Sequence, residues 1–183
     1  MKKNNRLRVW DLPVRLLHWS LVACVLGAWL TRHNHMGQGH QLWGYGALAA
    51  ATLRLLWGLF SRSRYARFTQ FVRRLAPTLA YARAVLAGHA ARYIGHNPLG
   101  GWMVVVLLSC VGLLGFTGWL FTTDMFWGYG WLATLHEWLG WALLVLVGLH
   151  LGGVVFTSWQ HRENLVRAMV TGTKPAAQDG DVA

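Results

Sequence analysis

Acidic side chains are scarce in this sequence: Asp and Glu number 6, against 17 Lys and Arg, and charged residues make up 13% of the chain. Soluble domains carry about 25% charged residues, so this composition does not fit a soluble domain. No CxxCH motif occurs, which excludes covalently attached c-type haem. The only 2 cysteines, Cys24 and Cys110, fall inside apolar stretches and are interpreted as small apolar side chains.

Apolar residues are abundant instead, at 55% of the chain, and 12 of the 183 residues are Trp. Four long apolar stretches stand out, at residues 12–30, 42–60, 100–121 and 132–159. Each is close to or above the ~20 residues that a helix needs to cross a bilayer. The sequence therefore predicts an all-α integral membrane four-helix bundle, with residues 1–174 forming a single domain.

Positive residues alternate between the connections as the positive-inside rule requires. Five lie in residues 1–15 and seven in residues 61–99, whereas Arg32 and Asp124 are the only charged residues in 31–39 and 122–131. Both termini and the 61–99 connection are therefore expected in the cytoplasm, with the chain in a bacterial inner membrane. The net charge of +11 follows from this topology and does not indicate nucleic-acid binding. The first stretch lacks a small-residue cleavage site, so we expect a retained span and not a signal peptide.

Two further segments are neither spans nor plain linkers. Residues 64–93 alternate aromatic and aliphatic side chains with arginines, and Pro77 interrupts the run. This pattern predicts an amphipathic interfacial helix on the anionic inner leaflet, in contact with membrane lipid. Residues 175–183, PAAQDGDVA, are small and polar, and we expect them to form a disordered tail.

Histidines in the apolar stretches are the main functional signal. His136 and His150 lie fourteen residues apart, so they share one face of a helix and are separated by roughly 21 Å along its axis. The predicted topology places His40 and His136 near the external side, and His18 and His150 near the cytoplasmic side. Each side of the membrane is therefore expected to have one pair of histidines.

Two pairs at matching depths favour haem ligation over isolated packing residues, since polar groups inside a membrane are costly and usually functional. A bare metal ion is disfavoured because no Cys, Asp or Glu provides further ligands at either depth. A proton relay is disfavoured because the span between His136 and His150 offers no polar intermediate.

His33 and His35 compete with His40 for the outer site. His40 is preferred because Gly44 follows one turn later on the same face and leaves room for a flat macrocycle. Gly140 stands in the same relation to His136. The alternative is that these glycines only let the helices pack closely.

Two arginines lie near the predicted haem positions. Arg15 comes one turn before His18, and Arg54 lies fourteen residues after His40, near the inner end of its span. Either could pair with haem propionates, because a guanidinium binds a carboxylate bidentately. The alternative is that both extend to the lipid headgroups.

Several segments together resemble the prokaryotic cytochrome b561 family, and the resemblance covers residues 9–174. They are VWDLPVRLLHW (9–19), HQLWGYGALAAATLRLLWG (40–58), GHNPLGG (95–101), HEWLGWALLVLVGLHLGG (136–153) and HRENLVRAM (161–169). Within the family, the chain is most similar to the branch of b-type cytochrome subunits of nickel–iron hydrogenases. The resemblance implies four helices, two non-covalent b haems and ligands at His18, His40, His136 and His150.

The same resemblance implies electron exchange between the quinone pool and a redox partner, such as a c-type cytochrome or another redox protein subunit. His96, Asn97 and His161 are the candidates for a cytoplasmic quinone site, with helix caps and headgroup contacts as the alternative. One competing function is a free-standing superoxide:quinone oxidoreductase, although only Arg32, His33 and His35 would attract an anion outside. A second is a non-redox membrane anchor with structural haem. An oligomer is possible in each case.

The predicted topology can be tested directly. A fluorescent protein fused after Lys174 should be bright, whereas alkaline phosphatase at the same point should be inactive, because it needs an oxidising compartment. The same reporters fused after Thr123 provide the control and should give the opposite result. Phosphatase activity after Lys174 would overturn both the topology and the pairing of histidines by depth.

Overall fold

The computed structural model describes residues 6–33 and 38–182, which form seven helices and two short strands. In chain order these are β1 (Arg6–Arg8), α1 (Leu12–Leu30), α2 (Gln38–Phe60), α3 (Phe68–Phe71), α4 (Leu75–Leu86), α5 (Pro98–Leu120), α6 (Gly130–Gln160), α7 (Leu165–Thr171) and β2 (Thr173–Pro175). The predicted all-helical character is confirmed. The four long helices α1, α2, α5 and α6 correspond to the four apolar stretches.

Three of these long helices, α1, α5 and α6, are long and apolar enough to cross a membrane. The sequence predicted four such helices. α2 is as long as α5, but it does not reach the same hydropathy. The physical reason is its content of polar side chains, among them His40, Thr52 and Arg54. A bundle of four spans therefore stays a prediction.

The chain divides into two compact units, and the single domain over residues 1–174 stays a prediction. Unit 1 comprises Met1–Arg15, Trp57–Val105 and Leu149–Ala183, and unit 2 comprises Leu16–Leu56 and Val106–Gly148. Each of the four long helices contributes residues to both units. The two units are therefore not two consecutive segments of the sequence.

In unit 1, the residues before α1 pack against those after α6. Val9, Trp10 and Val14 form a buried cluster with residues of the 61–99 connection and with Ala168 of α7. The N–H groups of Val9 and Trp10 both donate to the carbonyl of Gly172. Gly172 ends α7 at a φ of 81°, and a Cβ there would lie 2.7 Å from the Trp10 carbonyl oxygen, so glycine is required at this point.

The C-terminal segment is held in place by strands and ion pairs. β1 pairs antiparallel with β2, with Leu7 opposite Lys174. Glu163 accepts from Lys174 at 3.1 Å and from Arg92 at 3.2 Å, and Arg92 also pairs with Asp181 at 2.5 Å. We expected residues 175–183 to be disordered; in the structure Asp181 has this partner, and a backbone hydrogen bond joins Val182 to Arg92. Composition alone does not reveal such distant partners.

The 61–99 connection contains α3 and α4. Leu75, Leu79 and Leu86 of α4 are exposed, whereas Thr78 and Tyr81 on its other side are buried. Pro77 lies within the first turn of α4, where its missing N–H breaks no helical hydrogen bond. It does not interrupt the helix, contrary to our expectation. The row of exposed leucines fits contact with lipid, which stays a prediction.

In unit 2, small residues bring the long helices together. A Cβ on Gly27 of α1 would lie 2.4 Å from the Trp43 ring of α2, and one on Gly115 of α5 would lie 2.8 Å from Leu48 of α2. Cys110 of α5 donates from its sulfur to the Leu139 carbonyl of α6 at 3.6 Å. The small apolar role predicted for Cys110 thus includes a weak hydrogen bond between helices. These contacts hold α2, α5 and α6 close enough for their side chains to meet.

The ion-pair cluster of Arg92, Glu163, Lys174 and Asp181 should dominate the stability of unit 1. Glu163 and Lys174 side chains are each only 3% exposed, so removing one charge leaves the other buried without its partner. Glu163→Gln should lower the free energy of unfolding by about 3–5 kcal/mol. Thermal unfolding of the detergent-solubilised protein measures the change.

The matched control is Asp179→Asn, which removes an exposed carboxylate near the same C-terminal segment. This change should stay within about 0.5 kcal/mol of the parent protein. Equal stability of the two variants would show that the cluster contributes nothing beyond surface charge.

Candidate functional site

Two of the predicted ligand histidines, His40 and His136, meet in unit 2. His40 lies in the first turn of α2 and His136 in the second turn of α6. Their ring centroids are 6.2 Å apart and their planes are inclined at 80°. The structure therefore brings together the pair that depth in the membrane predicted for the outer side.

Each of the two rings has a hydrogen-bond partner at Nδ1. His40 Nδ1 lies 2.9 Å from the carbonyl oxygen of Ala28 in α1, and His136 Nδ1 lies 2.8 Å from Thr117 Oγ1 in α5. A carbonyl oxygen can only accept, so His40 Nδ1 must carry the proton. Its Nε2 is then an unprotonated nitrogen with a lone pair, the form that binds metal.

The spacing of the two rings fits a metal ion held between them. A metal–imidazole bond of about 2.1 Å and roughly 1.1 Å from ring nitrogen to ring centre, counted twice, give about 6.4 Å between centroids. The observed separation is 6.2 Å. Among the described residues, no group of three or more His, Cys, Asp or Glu could hold a metal ion. A metal ion held by these two histidines would need its remaining ligands from another group, and a haem macrocycle would provide them.

Space for a flat group is present at the predicted glycines. A Cβ on Gly44 or on Gly140 would meet no atom within 4 Å apart from its own helix and chain neighbours. Gly118 has less space around it, since a Cβ there would lie 3.3 Å from His136 Cε1. Gly44 and Gly140 thus leave room near the histidines, and Gly118 lets α5 pass directly beside the His136 ring.

Two other histidines, His33 and His35, were candidates for the outer site. His33 is exposed, in the turn that follows α1. His35 lies outside the described residues. Arg32 places its guanidinium 3.9 Å over the Trp29 ring and donates to the Trp29 carbonyl.

The predicted inner pair is divided between the units. His18 belongs to unit 2, where its ring contacts Trp19 edge-on at 5.3 Å, and His150 belongs to unit 1. Both histidines are partly buried. Their joint ligation of a second haem stays a prediction.

The two predicted propionate partners differ in their surroundings. Arg15 donates from Nη2 to the Val170 carbonyl at the end of α7, so it takes part in holding the C-terminal segment. Arg54 is 5% exposed although it lies within α2. Burying a guanidinium among apolar helices is costly, so a buried Arg54 is suited to an anionic group.

The three predicted quinone residues lie in unit 1 but play different parts. His96 lies between two aromatic rings, with centroid distances of 4.6 Å to Trp10 and 4.5 Å to Phe71. Asn97 accepts from the Gly100 N–H at 2.7 Å and so caps α5. These contacts match the structural alternative considered for this set.

His161, directly after α6, keeps one ring nitrogen available. Its Nε2 is buried and has no hydrogen-bond partner among the described residues. Burial lowers the pKa of His161, the Glu163 carboxylate opposes this effect, and Arg92 and Lys174 add to it. The neutral ring, which can accept a hydrogen bond, is therefore favoured at neutral pH.

Sequence reasoning missed the groups that orient the histidines. Thr117 and Gly118 lie in a predicted span, as the pair in LLGFTGWL, and nothing in that pattern points to His136. A Thr in a predominantly apolar span was the available signal, and Ser109 in the same span gives a similar one. The Ala28 carbonyl could not have been found at all, because every residue has one.

Paired histidines between long apolar helices, with room for a macrocycle beside them, are consistent with a membrane cytochrome of the b type. The chain matches the family model described as prokaryotic cytochrome b561 over residues 9–172 and belongs to this family. No match was found among curated proteins or among solved structures. The chain is accordingly a membrane protein that binds haem b and transfers electrons.

Gly118 provides a test of the outer site. Gly118→Ala would place a methyl group 3.3 Å from His136 Cε1, closer than ordinary van der Waals contact. The ring must tilt or move, so haem affinity at the site should fall by about tenfold, as when a ligand-orienting group is lost. Haem titration of the apoprotein, followed by its Soret absorption, gives the affinity.

Gly130→Ala is the control, since a Cβ at Gly130, at the start of α6, would meet no atom within 4 Å. It should bind haem like the parent protein. Normal haem affinity in Gly118→Ala would exclude the close approach of α5 to His136.

Proposed function

We propose that the protein is a dihaem b-type cytochrome that carries electrons between the quinone pool and a redox partner protein. The outer haem is ligated by His40 and His136, and the inner haem by His18 and His150. The observation that carries the proposal is the 6.2 Å separation of the His40 and His136 rings, both hydrogen-bonded at Nδ1. Family membership supports haem b as the group that is bound.

Haem ligated by two histidines supplies one-electron transfer, because its iron keeps no open position for oxygen. His40 and His136 position the outer haem through α2 and α6. His136 and His150 lie on one face of α6, roughly 21 Å apart along the helix axis. A path from one haem to the other would therefore cross most of a hydrocarbon core about 30 Å thick.

Such a path makes electron transfer sensitive to the membrane potential, at about 2.3 kcal/mol per charge per 100 mV. The protein sets the potential of each haem by burial, by hydrogen bonds to the ligands and by charges near the propionates. Arg54 is the stronger candidate for a propionate partner because it is buried in α2. Arg15 is the weaker one because it donates to the Val170 carbonyl.

The quinone site is proposed on the cytoplasmic side, near the end of α6. A quinone takes up protons together with electrons, so its site needs polar side chains that can donate or relay them. His161 is the best suited of the three candidates, because its buried Nε2 has no hydrogen-bond partner among the described residues. The His96 ring lies between Trp10 and Phe71, and Asn97 caps α5. These two residues would therefore act mainly by shaping the site.

The redox partner would dock at the external ends of α5 and α6. Asp124 and Glu137 are the acidic residues near this end, and both are exposed. They would attract a basic partner surface, such as that of a c-type cytochrome or a hydrogenase-type subunit. The superoxide:quinone alternative is less well supported, because superoxide is an anion and Arg32 is already bound to Trp29.

The number of haems and their pairing can be measured together. The purified protein should contain two b haems per chain in a pyridine haemochrome assay, both low-spin. His40→Ala and His136→Ala should remove the same component in a redox titration, and His18→Ala and His150→Ala should remove the other. His89→Ala is the control and should retain both, since His89 lies in the exposed turn after α4.

One haem per chain would refute the dihaem proposal. Loss of a shared component in His40→Ala and His150→Ala would show that the pairing is wrong. Loss of the outer component in His35→Ala, with its retention in His40→Ala, would show that His35 and not His40 is the ligand.

A further inference from the structure

We infer that Thr117 fixes the tautomer of the His136 ring, leaving its Nε2 lone pair for the iron and lowering the redox potential of the outer haem. Thr117 acts through His136 and is therefore a positioning residue. The inference rests on the proposed outer site of His40 and His136, and it adds the group that tunes one of the two ligands.

The carbonyl contacts of Thr117 within α5 favour one direction for the Thr117–His136 hydrogen bond. Thr117 Oγ1 lies 2.9 Å from the Leu113 carbonyl oxygen and 3.1 Å from the Leu114 carbonyl oxygen. Carbonyl oxygens only accept, and a hydroxyl has a single proton. With that proton donated to a carbonyl within α5, Oγ1 accepts from His136 Nδ1 at 2.8 Å, which is the direction that we infer.

Burial makes this arrangement persistent. Thr117 is only 4% exposed, so solvent water does not compete for its hydroxyl. In a low-dielectric interior a hydrogen bond is electrostatically stronger than in water, and an unpaired polar group is correspondingly costly. The proton of the neutral His136 ring is thus held on Nδ1, which leaves a lone pair on Nε2.

The two ligands of the outer site reach the same tautomer by different means. His40 Nδ1 donates to the Ala28 carbonyl, a backbone group that remains after any side-chain substitution. His136 Nδ1 donates to a side-chain hydroxyl that a single substitution removes. The sequence can therefore vary the electronic character of one ligand while the other stays constant.

The hydrogen bond would also act, through the imidazole, on a haem iron bound at Nε2. Donation from Nδ1–H to an oxygen raises the electron density of the imidazole and makes Nε2 more basic. A more basic ligand stabilises ferric iron relative to ferrous iron, which lowers the reduction potential. Thr117 should therefore favour passage of an electron from the outer haem to an acceptor of higher potential.

Thr117→Val is the decisive variant, because valine keeps the shape of threonine and removes the hydroxyl. In the full-length protein in detergent, the outer haem component should titrate at a higher midpoint potential than in the parent protein. Haem affinity at that site should fall by about tenfold, as for other losses of a group that orients a ligand. The ferric EPR spectrum of the outer haem should change as well, since it reports the ligand field.

Thr52→Val is the matched control. Thr52 is exposed on α2 and donates to the Leu48 carbonyl at 2.8 Å, the same bond within a helix that Thr117 makes within α5, but it has no histidine partner. This variant should leave both midpoint potentials unchanged. Thr117→Ser restores the hydroxyl without the methyl group and should return the outer potential and the haem affinity to the parent values.

The outcomes separate this inference from the function on which it rests. An unchanged outer potential in Thr117→Val, with outer haem present, would overturn the role of Thr117 and leave the proposed ligands intact. If Thr117→Val bound no outer haem, Thr117→Ser would decide: recovery would support the hydroxyl, and continued loss would overturn its role, because serine keeps the hydroxyl. Absence of outer haem from the parent protein would instead refute the proposed function.

Discussion

A neutral imidazole inside a membrane is tolerable only if its ring nitrogens have partners, and this requirement organises unit 2. His40 and His136 each bind an oxygen at Nδ1, from the Ala28 carbonyl and from Thr117 Oγ1. One metal ion bound by both Nε2 atoms would give every ring nitrogen a partner, because a lone pair left facing hydrocarbon is unfavourable. The four helices α1, α2, α5 and α6 all contribute: two provide histidines and two provide the groups that orient them. Contacts at small residues, such as Gly115 with Leu48, allow the close approach that these bonds need.

Unit 1 differs in that its contacts hold together segments that lie far apart in the sequence. Its buried cluster of Arg92, Glu163, Lys174 and Asp181 contains two positive and two negative groups, so the charges balance locally. Burial lowers the pKa of Lys174, whereas the contact with Glu163 opposes that shift. The pairing of β1 with β2 and the Gly172 turn bring the same segments together. Electrostatic balance and backbone pairing thus add to the buried apolar cluster of unit 1.

The sequence predicts the helices better than it predicts what surrounds them. The lengths of the apolar stretches predicted α1, α2, α5 and α6 within a few residues, because a run of about 20 apolar residues usually forms a helix. Depth along the spans paired His40 with His136, and the structure brings these two together. Composition did not indicate the partners of Asp181 and Val182, because these partners lie far away in the sequence. Pro77 was misread for a local reason: the same residue that ends a helix is also favourable in a first turn.

Hydrogen bonds that orient a ligand cannot be predicted from composition, because they depend on the rotation of one helix against another. Thr117 is an ordinary residue of α5 until α6 brings His136 to its hydroxyl, and Gly118 becomes necessary only because the ring is then adjacent. The two requirements fall on neighbouring residues, so one short stretch of α5 determines both the space available to the His136 ring and its protonation. His40, in contrast, depends on the backbone of α1. A protein built in this way can adjust one ligand of a haem by changing single side chains of α5, while the opposite ligand keeps its geometry.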